Sequence, residues 1–200
     1  MVLSKDDKKA IKSQRIQDAF AETAKDIIEK SGVHAVSVRK VAEQSGYSLR
    51  TIYNYFKNLD ELLWHTRDMM LSDMAEYFMH KNGEITNDDD LKNIFRLFMD
   101  YFIERPNVFF FFYCHPLDKS VARSHKRIMD APEVQAKFAQ TFEYMVAKCG
   151  ISMETVGKIS YTIIYSLYGM LTLYLSGNDE LTLDAIYKQL DDIVELMINK

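Results

Sequence analysis

The placement of glycine and proline constrains this chain more than any other feature. Its 200 residues include only seven glycines and three prolines. Gly32, Gly46, Gly83, Gly150 and Gly177 each follow a helix-like stretch, and the residue past a helix often needs positive φ. Pro106, Pro116 and Pro132 stand at or near expected helix starts, where a missing N–H is harmless. Between these breaks apolar residues recur at the spacing of one helical face, as in Ile16, Ala19, Phe20, Ala24, Ile27 and Ile28. Helices are expected over residues 13–30, short ones after Ser37 and Ser48, a long one after Asn58, and others over 88–104, 106–113, 118–129, 132–148, 152–176 and 182–199. Asn58 and Glu61 have the spacing of a capping-box start. No alternating strand pattern survives this parse, so the expected fold class is all-α.

Several function classes drop out. Cys114 and Cys149 have no short spacing, which argues against a disulfide framework and a thiolate zinc site. His115 and His125 lack a carboxylate or cysteine at ligand spacing on a shared helical face, so no metal is expected. No nucleophile–base pattern, phosphate-cradling glycine loop or cofactor signature is present, so no enzyme and no cofactor are expected. No apolar run reaches the roughly 18 residues of a membrane span. The candidate at 159–175 is broken by Ser160, Thr162, Ser166, Gly169 and Thr172. With a polar start that lacks an apolar signal core, the expected location is the cytoplasm.

The net charge of −4 hides an asymmetry. Residues 1–60 carry 11 Lys and Arg against 8 Asp and Glu, and the remainder carries 14 against 21. A basic front on an acidic body suggests that only the front meets a polyanion.

Residues 38–55 read VRKVAEQSGYSLRTIYNY, the pattern of a helix-turn-helix. Ala42 sits where two helices cross closely, and a large side chain would clash. Gly46 lies in the tight turn, where a left-handed conformation is cheap only for glycine. Ser48 caps the second helix. Val41 and Ile52 lock the pair together, and Ile52 and Phe56 read as core. Arg50, Tyr53, Asn54 and Lys57 are left on one exposed side. Two ordinary core helices joined by a turn would leave them unexplained.

These residues resemble the N-terminal domain of the TetR family of transcriptional regulators. The resemblance rests on Gly32, Ser37, Val41 with Ala42, Ser45 with Gly46, Ser48, the run Ile52, Tyr53, Asn54, Tyr55, Phe56, and Glu61 with Leu62. It covers about the first 65 residues, and beyond them only length and helical character agree. Two departures stand out. The family's usual lysine before the acidic residue of the fourth helix is replaced by Leu59, so Lys57 is left to supply that charge. The position two after the cap, often glycine, is Arg50.

The resemblance implies a helix-turn-helix DNA-binding domain of three helices over residues 1–58 and a larger helical effector-binding and dimerisation domain over 59–200. A recognition helix over 49–56, from Leu49 through Asn54 to Phe56, is expected in the major groove of double-stranded DNA. Arg50 is the first choice for direct readout, because a guanidinium bridges both acceptors of guanine. Thr51 has a methyl and a hydroxyl to offer a thymine. The resemblance makes Tyr53 and Tyr55 phosphate contacts, with packing against the first helix the alternative for Tyr55. Ser37, Arg39 and Lys57 are expected to hold the backbone, with Arg39 alternatively paired to Glu43. Lys5, Lys8, Lys9 and Lys12 add nonspecific attraction that salt weakens. One such head buries little area, so a homodimer on a palindromic operator is expected.

For the body, the resemblance implies that the last two helices pair with their copy. The candidate dimer residues are Gly157, Gly169, Ile186, Leu190, Ile193, Val194 and Met197. Large soft side chains are candidates for an apolar or aromatic small-molecule effector: Phe98, Tyr101, Phe102, Phe109, Phe112, Tyr113, Phe142, Met145, Tyr161, Tyr165 and Tyr168. Plain core is the alternative for each. Repression is a family-level expectation; an activator or an adaptor that docks a protein partner remains the alternative.

Overall fold

The computed structural model describes residues 4–81, 83–121, 132–177 and 181–198, without the side chains at 133, 134, 137, 138 and 197. Nine α-helices and no strand occur among the described residues. They are α1 (Lys5–Ser31), α2 (Val38–Ser45), α3 (Leu49–Tyr53), α4 (Leu59–Lys81), α5 (Asp88–Ile103), α6 (Pro106–Tyr113), α7 (Pro132–Cys149), α8 (Met153–Leu175) and α9 (Leu183–Ile198). No helix among the described residues is long and apolar enough to cross a membrane. Of the helix expected over 118–129, Lys119–Val121 forms a single 3₁₀ turn. Residues 122–129, with His125, lie outside the described residues.

Capping sets most boundaries. Ser37, Ser48, Asn87 and Ser152 each accept a hydrogen bond from the backbone N–H three residues on, which satisfies a donor the helix leaves unpaired. At α4, Asn58 Oδ1 accepts from Glu61 N at 2.9 Å, and Glu61 Oε2 accepts from Lys57 N at 2.5 Å. The largest departure from expectation is α1, which begins at Lys5 instead of near residue 13. A capping box starts it early: Ser4 Oγ accepts from Asp7 N at 3.1 Å, and Asp7 accepts from Ser4 N at 3.0 Å. Residues 4–12 are all exposed, so apolar periodicity has nothing to mark there.

The chain divides into two compact units. The first holds Met1–Asp73 with Asn107–Arg127. Its core takes Phe20, Ala24 and Ile28 from α1, Val41 and Ala42 from α2, Ile52 and Phe56 from the α3 region, and Leu62 and Leu63 from α4. The α6 segment joins this unit. Asn107 donates to the carbonyl of Glu29 at 2.9 Å near the end of α1. Trp64 Nε1 donates to the carbonyl of Asp118 at 2.8 Å. Arg67 lies over the rings of Trp64 and Phe112, 5.4 and 5.0 Å from their centres.

The second unit holds Met74–Pro106 with Ile128–Lys200. In it α8 packs against α5, α7 and α9, around Leu91, Phe95, Met99, Phe102, Met145, Ile163, Leu167, Leu171, Ile186, Leu190 and Val194. Charged pairs tie α5 to α9, with Lys92 2.5 Å from Glu195 and Arg96 paired with Asp191.

Asp88 joins α5 to α7, accepting from Tyr144 at 2.6 Å and from Lys148 at 2.8 Å. Those hydrogen bonds hold its carboxyl below the usual carboxylate range. Burial, then the bond to Asp88, pushes the Tyr144 phenol up to about 12. A depressed carboxyl contributes stability above its unfolded pKa and loses it as pH falls through the folded value. A raised phenol contributes it fully below pH 10 and loses it as pH rises through about 12. Replacing Tyr144→Phe is therefore expected to cost about 1 kcal/mol near neutrality, roughly 2–4 °C in Tm. The difference from wild type should shrink below about pH 4 and above about pH 10. Thermal melts across that range check it, and a constant difference at every pH contradicts it.

Candidate nucleic-acid interface

The helix-turn-helix is built from the inside outward. Phe20 on α1 is fully buried, with ring centres of Tyr47, Tyr55 and Phe56 at 5.0, 6.1 and 6.4 Å. Ile52 and Phe56 are likewise buried, so α3 and the turn after it are anchored on their inner side. Gly46 closes α2 with φ 74° and ψ 18°, the left-handed conformation that a side chain resists. Its successor Tyr47 donates to the carbonyl of Ala42 at 3.0 Å, completing the turn. Ser48 then accepts from Thr51 N at 3.1 Å, and the two hydroxyls lie 2.8 Å apart. The Thr51 hydroxyl is thus engaged at the cap, and the residue is half-buried.

What remains on the surface is mostly polar, with Ser37 and Ser48 serving as caps. Ser37, Arg39, Ser48, Leu49, Arg50, Tyr53, Asn54 and Lys57 are exposed, Tyr53 at 53%. The side chains of Arg39, Arg50, Tyr53, Asn54 and Lys57 form no hydrogen bond or ion pair among the described residues. Arg39 is thus unpaired with Glu43. Tyr55 is half-buried against Phe20, leaving part of the residue accessible. The helix itself ends at Tyr53, and Asn54 and Tyr55 form a turn, shorter than the expected 49–56. Sequence reasoning passed over Tyr47, which is 38% exposed beside the turn, although its place directly after Gly46 marks it.

Residues 21–65 match the model of the bacterial regulatory proteins, tetR family. The chain carries the N-terminal domain of the TetR family. Solved structures agree in fold along the chain. A TetR-family transcriptional regulator from Streptomyces coelicolor matches with a TM-score of 0.62 at 16% identity, covering 90% of this chain and 80% of that one. A transcriptional regulator from Rhodococcus sp. RHA1 matches with 0.60 at 14% identity, covering 92% and 96%. A TetR-family regulator from Marinobacter aquaeolei VT8 matches with 0.52 at 18% identity, covering 96% and 98%. At these identities the likeness is one of fold. No curated protein matches the sequence.

Beyond the TetR-type domain, the aromatic candidates separate. Phe98, Tyr101, Phe102 and Tyr168 share one cluster with Tyr77 and Phe78 in the second unit. Met145 is buried in that unit and Phe142 is half-buried. Phe109 and Phe112 are buried in the first unit, with Tyr113 exposed there. Tyr161 and Tyr165 point outward from α8, 64% and 67% exposed, their rings stacked at 6.2 Å. Of the dimer candidates, Ile186, Leu190 and Val194 are completely buried within their own chain and have no surface left for a partner. Ile193 is half-buried, and the side chain of Met197 lies outside the described residues. Gly157 is half-buried and Gly169 exposed, and a Cβ added at either meets no atom within 4 Å.

Proposed function

We propose that this chain is a cytoplasmic DNA-binding transcriptional regulator, a homodimer that represses from a palindromic operator and is released by a small apolar or aromatic molecule. The observation that carries the reading is the surface of α3. Arg50 and Tyr53 on that helix, and Asn54 directly after it, are exposed and unpaired among the described residues, while the helix's inner face, Ile52, is fully buried. A rigid short helix with unpaired donors suits base edges in a major groove. Arg50 reads guanine, Thr51 offers its methyl, and Ser37, Arg39, Tyr53, Tyr55 and Lys57 hold phosphates.

The dimer reading is supported by a stripe on α8. Tyr161, Tyr165, Gly169 and Leu173 recur every four residues and are all exposed, and Leu196 on α9 is 66% exposed. Glycine inside a helix costs about 1 kcal/mol against alanine. None of the described residues crowds Gly169, which leaves room for close approach of a second helix. The effector reading is supported by the cluster of Phe98, Tyr101, Phe102 and Tyr168, which is aromatic and soft.

Selection of bound sequences from random duplexes tests the proposal. A two-fold site is expected, with half-sites about 10 base pairs apart. Replacing Arg50→Ala should then remove roughly 1–3 kcal/mol of discrimination at one guanine per half-site and leave random-duplex binding nearly intact. A protein that prefers no duplex over random competitor ends the regulator reading. Operator DNA released by no compound in a broad apolar and aromatic screen ends the effector part alone.

A further inference from the structure

The exposed start of α1 is helical without a core to hold it. Residues 4–12 are all exposed, and the Ser4–Asp7 capping box starts the helix. At about 100° per residue, Lys5, Lys8, Lys9, Lys12 and Arg15 fall within an arc of about 120°. Asp6 and Asp7 lie off that arc, and the Asp7 carboxylate is engaged with the Ser4 N–H. None of the five cations has a hydrogen-bond or ion-pair partner among the described residues.

Such a stripe works against its own helix. Like charges three or four residues apart destabilise a helix by roughly 0.2–0.5 kcal/mol per pair. Here Lys5–Lys8, Lys5–Lys9, Lys8–Lys12, Lys9–Lys12 and Lys12–Arg15 all repel. A polyanion laid along the stripe reverses that sign. The same helix carries Phe20, the residue on which Tyr47 and Phe56 pack beside α3, about 22 Å along the axis from Lys5. The stripe is therefore coupled by one continuous helix to the surface proposed to read DNA.

We propose that this stripe is a second phosphate-binding surface, which follows the duplex backbone outside the recognition helix and adds sequence-independent, salt-sensitive affinity. The inference rests on the DNA-binding reading above. It goes beyond a basic tail, because the charges act as one face of an ordered helix.

The test uses the full chain, the selected operator and a random duplex, titrated from 50 to 200 mM salt. Wild type is compared with a variant carrying Lys5→Gln, Lys8→Gln, Lys9→Gln and Lys12→Gln, and with Ala10→Pro, which keeps every charge but interrupts the helix. In the glutamine variant the slope of log affinity on log salt should become shallower by about 2–4 per protomer. Operator and random duplex should weaken together, so their ratio stays put. Ala10→Pro should show most of the same loss. An unchanged slope in the glutamine variant overturns the proposal while operator preference still stands. An Ala10→Pro variant indistinguishable from wild type overturns the ordered stripe in favour of a flexible tail. Wild type without any duplex preference removes both readings at once.

Discussion

A chain carrying Tyr165→Glu and Leu173→Glu is expected to sediment as a folded monomer and to bind operator roughly 10²–10⁴-fold more weakly than wild type. Both side chains are more than half exposed within the chain, so neither change should disturb the protomer's own core. In the proposed dimer they face the partner helix. A covered tyrosine contributes about 150–250 Å² of buried surface, and an ionised carboxylate left unpaired in the same place is strongly disfavoured. Two-fold pairing would bring four such carboxylates to one apolar seam. The DNA effect follows from valency. Two linked heads make the second contact intramolecular, and a lone head has only its own few contacts. Sedimentation, circular dichroism and an operator titration check the three parts. An intact dimer with wild-type affinity would remove the α8 stripe from the interface.

Phe20→Ala is expected to destabilise the first unit by about 3–5 kcal/mol, the largest effect of any single change considered. Phe20 has no exposed surface, and three rings surround it. Its removal leaves a void that Tyr47, Tyr55 and Phe56 cannot all close, since each is tied to the turn or to the end of α3. The DNA-facing residues stay chemically untouched, yet their platform loosens. Operator affinity should fall at physiological temperature and recover partly on cooling toward the temperature of maximum stability. Denaturant unfolding followed by Trp64 fluorescence reports the first unit, because Trp64 is buried in it. A loss under about 1 kcal/mol would mean that the ring cluster is not what supports α3.

Much of the DNA-facing surface was legible in the sequence because its determinants are local. Ser37, Gly46 and Ser48 act within four residues of themselves, through a cap, a positive φ and another cap. Ile52 and Phe56 read as core from their spacing and are buried. The extended start of α1 was not legible from periodicity, since a helix that buries nothing has no apolar stripe. Only Ser4 and Asp7, three residues apart, carried that signal.

The sequence alone determined the all-helical character of the described residues, most of their helix limits apart from the start of α1 and the stretch after Asp118, and a TetR-type head, all features of interactions between near neighbours. Only the tertiary structure decided what each apolar stripe meets. The run at 109–112 buries Phe109, Phe111 and Phe112 in the first unit, while the Phe98 cluster belongs to the second. Ile186, Leu190 and Val194 fill their own chain's core, while Tyr161 and Tyr165 face out. The reason is physical: spacing at 3.6 residues reports that a face is covered, and is the same whichever surface covers it.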